Sequence, residues 1–358
     1  MVIGYPRDAN YHLPLTHYAM RFSIAFQSNK TPREYEALAE LVDGYAFDGV
    51  SVYNDLMFQP ALGALVLMAR KLRTAQVGFA ALNPFTLHPV EIAGQAAVLD
   101  WVSEGRACLG LVRGAWLEQV GVETRRPLQT LRETVLVVKH LLARNPAAFE
   151  GEVFKIAANT TLNYAPLRSD VPIMIGTWGR QTAVMAGELA DEIKVGGSAN
   201  PQMVGVLAPA LRAGERKANR AANSVGICLG AVCVVDEDRD AAREKVRREA
   251  ALYLPVVAAL DPTLNDPEWL ARVQALDAQK DYTAISAMIS DDLLDKFAFA
   301  GNAHDIIQQV EQLIDAGATR VEFGTPHGID SVRGIQLLGE IVLPHFKSQE
   351  PRTKSHDG

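Results

Sequence analysis

Five residues at "GTWGRQT" (176–182) carry the clearest chemical signal in the chain. Gly176, Thr177, Trp178 and Gly179 make a short turn, and Arg180 opens a helical pattern. Unpaired N–H groups at a helix start, with a guanidinium beside them, suit an anion, and a phosphate group is the natural ligand. The plainer outcome is a solvated arginine on an ordinary helix start. Asn54 and Asp55 close "GVSVYND" (49–55), where Asp55 reads either as an acid beside a reacting ring or as a turn carboxylate. His327 in "GTPHGI" (324–329) and Glu118 beyond "VRGAW" (112–116) are further catalytic candidates. His88 precedes Pro89 and reads as a helix cap; Trp116 and Trp178 are candidates to stack on a planar ligand or simply to pack. No set of His, Cys, Asp or Glu has metal-ligand spacing, so no metal site is expected. Neither a G-x-S-x-G elbow nor a GxxxxGK[ST] loop occurs, and no GxGxxG follows the first strand. With neither a strong nucleophile nor a metal set, an organic cofactor is expected to carry the chemistry.

These residues fall at the ends of short apolar runs, and the runs alternate with amphipathic helices. The expected strands are "RFSIAFQ" (21–27), "GVSVYND" (49–55), "AQVGFAAL" (75–82) and "RACLGLV" (106–112), then "VPIMIG" (171–176), "DEIKVGG" (191–197), "VGICLGAVCVV" (225–235) and "TRVEFG" (319–324). Each is followed by a helical pattern. The first helix starts at Thr31 with Pro32 and Glu34 as a capping box. The last αβ unit takes Asn302 as cap, Ile306, Val310 and Leu313 as its apolar face and Gly317 as its stop. Eight such units predict an α/β chain folded as a single (β/α)8 TIM barrel, with an open doubly wound sheet as the alternative. The barrel domain is placed at 20–347, with insertions near 145–170 and 262–300, an extension at 1–19 and a polar tail at 348–358. The strands read as mostly apolar throughout, as parallel strands covered on both faces do. In such a barrel the loops after the strands form the active face, and glycine is dense at four of them, including Gly196 and Gly197. Glycine there lets backbone approach a ligand, or merely makes a tight turn.

Composition excludes several classes. The chain is 48% hydrophobic and 22% charged with a formal charge of −7, which argues against general nucleic-acid binding. Its longest apolar runs fall well short of a membrane span. Three cysteines, Cys108, Cys228 and Cys233, sit in strand-like runs, and so sparse and odd a count suits a reducing cytoplasm.

Three stretches carry a resemblance: "LNPFTLHPVEIAGQAAVLDWVSEGRACLGLVRG" (82–114), "PIMIGTWGRQTAVMAGELADE" (172–192) and "AGATRVEFGTPHGIDSVRGIQLLGEIV" (316–342). The chain resembles the luciferase-like (bacterial luciferase superfamily) barrel oxidoreductases. Within them it is most similar to the methylenetetrahydromethanopterin reductases, which use the deazaflavin coenzyme F420. The resemblance implies a cofactor lying across the barrel mouth, its ring backed by a bulge with a non-prolyl cis peptide. By position that bulge is Ala80–Ala81, ahead of Asn83. It also implies that Gly176–Arg180 and the Gly196–Gly197 turn hold the cofactor's phosphate tail. Asn54-Asp55 stands where the deazaflavin enzymes tend to carry Asp-His, and Ala25 stands at the reductase's strand-one acid. The expectation is therefore hydride transfer between coenzyme F420 and a planar small-molecule substrate, with Asp55 polarising or protonating. The alternatives are an FMN-dependent monooxygenase served by a flavin reductase partner, or a non-enzymatic flavin-binding barrel. The resemblance also implies a homodimer or higher homo-oligomer.

Overall fold

The computed structural model describes residues 20–347. The extension expected at 1–19 and the tail at 348–358 lie outside the described residues. The strands in chain order are β1 (Arg21–Phe26), β2 (Gly49–Val52), β3 (Gln76–Phe79), β4 (Ala107–Leu111), β5 (Phe149–Glu150), β6 (Lys155–Ile156), β7 (Ile173–Gly176), β8 (Glu192–Gly196), β9 (Gly226–Val235), β10 (Ala298–Gly301) and β11 (Arg320–His327). Neighbours run β9-β11-β1-β2-β3-β4-β7-β8 and return to β9 through the β8–β9 pairing, so eight strands close on themselves. Each of these pairings is parallel, and a helix follows each barrel strand: the fold is a (β/α)8 barrel.

Local sequence sets the helix ends. Thr31 caps Pro32–Asp43 and exchanges a capping box with Glu34. Asn302 and Asp305 do the same for Ala303–Ala316, whose Ile306, Val310 and Leu313 are buried and which ends at Gly317. His88 caps Pro89–Val102, its Nδ1 accepting from the Val90 N–H at 3.2 Å. The main core lies between the sheet and this outer ring of helices. The segment near 145–170 has no helix and holds the antiparallel β5–β6 hairpin. The segment near 262–300 is mostly helical, through Pro267–Ala278, Tyr282–Ala287 and Asp291–Phe297, and ends in β10, which pairs with the far end of β9. It closes a second, smaller apolar cluster around Val246, Leu254, Val273 and Leu294. Among the described residues no helix is long and apolar enough to cross a membrane.

The barrel interior differs from the sequence expectation. Buried apolar Ile193, Val195, Val321 and Phe323 alternate with charged residues that face inward. Glu192 and Lys194 of β8 meet Arg320 and Glu322 of β11, although β9 separates the two strands in the sheet. Contacts between strands that are not neighbours have to cross the interior. A charge is tolerated there only with a partner, and each of these four has one.

Candidate active site

The interior charges form a chain along the barrel axis. Arg21, half exposed at the N-terminal end, bonds Glu192 at 2.6 Å, and Glu192 bonds Arg320. Arg320 reaches Glu322 at 3.4 Å, and Glu322 pairs with Lys194. Ser51 of β2 donates to Glu322 at 2.8 Å, and Ser23 of β1 lies 3.4 Å from the same oxygen. Burial alone would push the Glu322 carboxyl upward; the charges of Lys194 and Arg320 and the bonds from Lys194 and Ser51 outweigh it and hold the group below its usual range. Lys194 carries the chain to the mouth, where its ammonium lies 5.5 Å from the centre of the Tyr53 ring.

Tyr53, Asn54 and Asp55 follow directly after β2 and rise into that mouth. Asp55 accepts from Gln27 Nε2 at 3.3 Å. Burial raises its carboxyl above the usual range, against the opposing pull of Gln27 and Lys194. A carboxyl whose affinity for a proton is raised by burial suits proton donation at a ring. Asn54 has a different role: its Oδ1 accepts from the Ala61 N–H at 2.9 Å and so fixes the loop to the start of Ala61–Ala69.

The β3 exit is a bulge. Ala80 N–H still bonds Val52 of β2, the Ala80–Ala81 peptide is cis, and Leu82 then bridges to Leu111 beyond the end of the β3 ladder. Gly110 of β4 lies directly beneath, where a Cβ would land on the Phe79 carbonyl oxygen and within 2.8 Å of Met174 Cε. Buried Asn83 closes the bulge, its Oδ1 accepting from the N–H groups of Phe85 and Thr86 at 3.1 and 3.0 Å.

Across the mouth the two glycine turns meet. Trp178 Nε1 donates to the Gly196 carbonyl at 3.0 Å, and the Thr177 N–H bonds Lys194 O at 2.9 Å. The Thr177 hydroxyl accepts from the Gly179 N–H at 2.9 Å. Gly179 is the N-cap of Arg180–Leu189 and offers no side-chain cap, so the first-turn N–H groups face outward beside exposed Arg180. Gly197 turns back at φ 78°, its N–H on the Gly230 carbonyl at 2.7 Å.

The remaining candidates lie apart. His327 is the last residue of β11 rather than a rim-loop residue: it is 1% exposed, its Nε2 is 3.1 Å from Ala25 O, and its ring packs edge-on to Phe26. Burial pushes its imidazole down to about 4, so it is a neutral packing histidine near neutral pH. Glu118 is exposed in the turn Leu117–Val120, next to half-exposed Trp116. Among the described residues no group of three or more His, Cys, Asp or Glu is arranged to hold a metal.

Comparison with known proteins places this arrangement. Residues 16–320 match the luciferase-like monooxygenase family. The chain belongs to that family. Among luciferase-like proteins it is similar to the 5,10-methylenetetrahydromethanopterin reductase of Archaeoglobus fulgidus, 28% identical over 92% of this chain and 100% of that one. It is also similar to the F420-dependent glucose-6-phosphate dehydrogenase of Nakamurella multipartita, 27% identical over 88% of this chain and 93% of that one. The solved coenzyme F420-dependent tetrahydromethanopterin reductase of Methanopyrus kandleri superposes with a TM-score of 0.82 over 91% of this chain and 99% of that one, at 24% identity. The luciferase-like barrel is thus an oxidoreductase fold shared with F420-dependent enzymes. Tyr53, Lys194 and Glu322 were not among the residues singled out from sequence. The available signal was the i, i+2 spacing of charges in "DEIKVGG" and "TRVEFG", which puts both charges of each strand on one face.

Proposed function

We propose that the protein transfers hydride between coenzyme F420 and a planar organic substrate held at the C-terminal mouth of the barrel. The observation that carries this reading is the pair of joined rim turns. Gly176–Gly179 and Gly196–Gly197 are tied by the Trp178–Gly196 bond and set an uncapped helix start beside Arg180. That donor set suits the acidic tail of a deazaflavin coenzyme. The residues opposite suit its flat ring: small Ala80 and Ala81 leave a low surface, braced from beneath by Gly110. F420-dependent relatives matched along most of the chain support the same choice of coenzyme.

The coenzyme, when bound, supplies the hydride acceptor or donor carbon. The chain supplies position and protons. Rim N–H groups and Arg180 would hold the tail, and the Ala80–Ala81 bulge would back the ring, which would keep substrate and coenzyme close. Asp55, in the half-buried mouth, delivers a proton to the substrate atom that gains electrons. FMN is the second cofactor reading, since the same rim also suits a flavin phosphate.

Titration of the purified apoprotein with coenzyme F420 and separately with FMN, followed by tryptophan quenching, tests the reading. Tight F420 and weak FMN binding is expected, and the reverse preference assigns the chain to flavin chemistry. Arg180→Ala is expected to weaken coenzyme binding about ten- to hundredfold, the loss of a charge-assisted pair. Asp55→Asn is expected to lower turnover about 10²- to 10⁴-fold while leaving coenzyme affinity near wild type. Because burial raises the Asp55 pKa, wild-type reduction of substrate should decline only as pH rises through that raised value. A pH profile of Asp55→Asn that kept the same limb would remove Asp55 from this role.

A further inference from the structure

The Tyr53 hydroxyl stands out among the polar groups of the mouth because no hydrogen bond among the described residues uses it. Its ring is held from one side by the Lys194 ammonium, itself anchored by Glu322. Its hydroxyl reaches across β1 to β11, where a Cβ on Gly324 would come within 2.5 Å of it. Gly324 pairs with Ala25, so the tyrosine overhangs the two smallest inward positions of those strands. Among the described residues the buried side-chain atoms left without partners are Ser28 Oγ, His140 Nε2 and Arg320 Nε. The Tyr53 hydroxyl is not one of them, and Tyr53 itself is only half-buried, so the unused donor is open to the mouth. Burial and the nearby Glu322 and Asp55 charges keep the phenol protonated far above neutral pH, so at working pH it remains a donor. A donor with no acceptor among the described residues is a group set to bond a ligand.

We propose that the Tyr53 hydroxyl hydrogen-bonds a carbonyl oxygen of the ligand seated in the mouth, and so selects a ligand with such an oxygen above the Lys194–Glu322 pair. The assignment rests on the coenzyme reading above. The oxygen belongs either to the cofactor ring or to the substrate.

Tyr53→Phe removes one unbonded hydroxyl and leaves the ring, so folding is unaffected and a merely structural role predicts no change. Wild type and variant are titrated with oxidised coenzyme F420, and both are assayed with reduced coenzyme on a panel of acetone, cyclohexanone and benzaldehyde. A coenzyme Kd weakened about 3- to 30-fold puts the oxygen on the ring. An unchanged Kd with kcat/KM on a carbonyl compound lowered about 10-fold or more puts it on the substrate. Unchanged Kd together with unchanged or absent carbonyl turnover overturns the proposal. If wild type binds FMN and not F420, the coenzyme reading fails while the FMN titration of the same two proteins still decides Tyr53. Binding of neither overturns both.

Discussion

Glu322→Ala should destabilise the barrel by about 3–5 kcal/mol, the cost of leaving a buried charge without its counter-charge. The carboxylate is wholly buried and receives bonds from Lys194, Arg320, Ser51 and Ser23. Arg320 keeps Glu192 after the substitution, but among the described residues no second ion pair holds Lys194, whose side chain is 9% exposed. The loss is therefore mainly the stranding of one ammonium. The pair itself need not be net stabilising, since its desolvation offsets much of its attraction. The double variant Lys194→Met, Glu322→Leu should accordingly recover most of the stability that Glu322→Ala loses. Urea midpoints of the three proteins, read by circular dichroism, check this. A double variant as unstable as the single one would show that the charges, and not their pairing, hold the interior together.

The same residue gives a pH dependence with a definite sign. Its folded pKa lies below the ordinary value of 4.5, so the unfolded chain takes up the proton first. The contribution of Glu322 is fully present above that value and is lost as pH falls from 4.5 through the lower folded pKa. Wild-type stability should fall in that window, and the gap between wild type and Glu322→Ala should narrow. Proton uptake on unfolding, measured across the window, is expected to be smaller in the variant.

The elements that place this network were legible before the network was. Thr31 with Glu34, Asn302 with Asp305, and Gly317 each act within a few residues of chain, so local spacing alone located those helix ends. The barrel followed from counting strand-then-helix units, because a short parallel strand and its covering helix both leave a periodic trace. The rim turn at Gly176–Arg180 was visible for the same reason: a strand end, glycines and a cation lie within five residues. The pairing of Lys194 with Glu322 joins residues 128 apart, and no local pattern encodes it. His327 shows the converse. "GTPHGI" has the composition of a rim loop, yet β11 runs on as far as His327 and carries the imidazole to the Ala25 carbonyl of β1. Register across the closed barrel, and not composition, decides which side of the rim a side chain takes.

Gly110→Ala should be destabilising by roughly 1–3 kcal/mol or more, the cost of overpacking a site that cannot relax by rotating a side chain. The new methyl would meet the Phe79 carbonyl oxygen, which is backbone, as well as Met174 Cε at 2.8 Å and the Ala81 methyl at 3.1 Å. Met174 can bend away; the carbonyl cannot move without shifting the β3 exit. That exit bears Ala80 and Ala81, so displacement reaches the surface on which the ring is proposed to lie. Coenzyme affinity should therefore fall along with the unfolding midpoint. Gly63 supplies the control, because it is exposed within the helix Ala61–Ala69 and a Cβ there meets nothing within 4 Å among the described residues. Gly63→Ala should stabilise by about 0.5–1 kcal/mol through helix propensity and leave coenzyme affinity unchanged. The same one-carbon addition thus carries opposite signs at two positions, and only the one beneath the bulge reaches the site. Equal stability changes at the two positions, or coenzyme affinity untouched at Gly110, would mean that the bulge does not depend on the glycine beneath it.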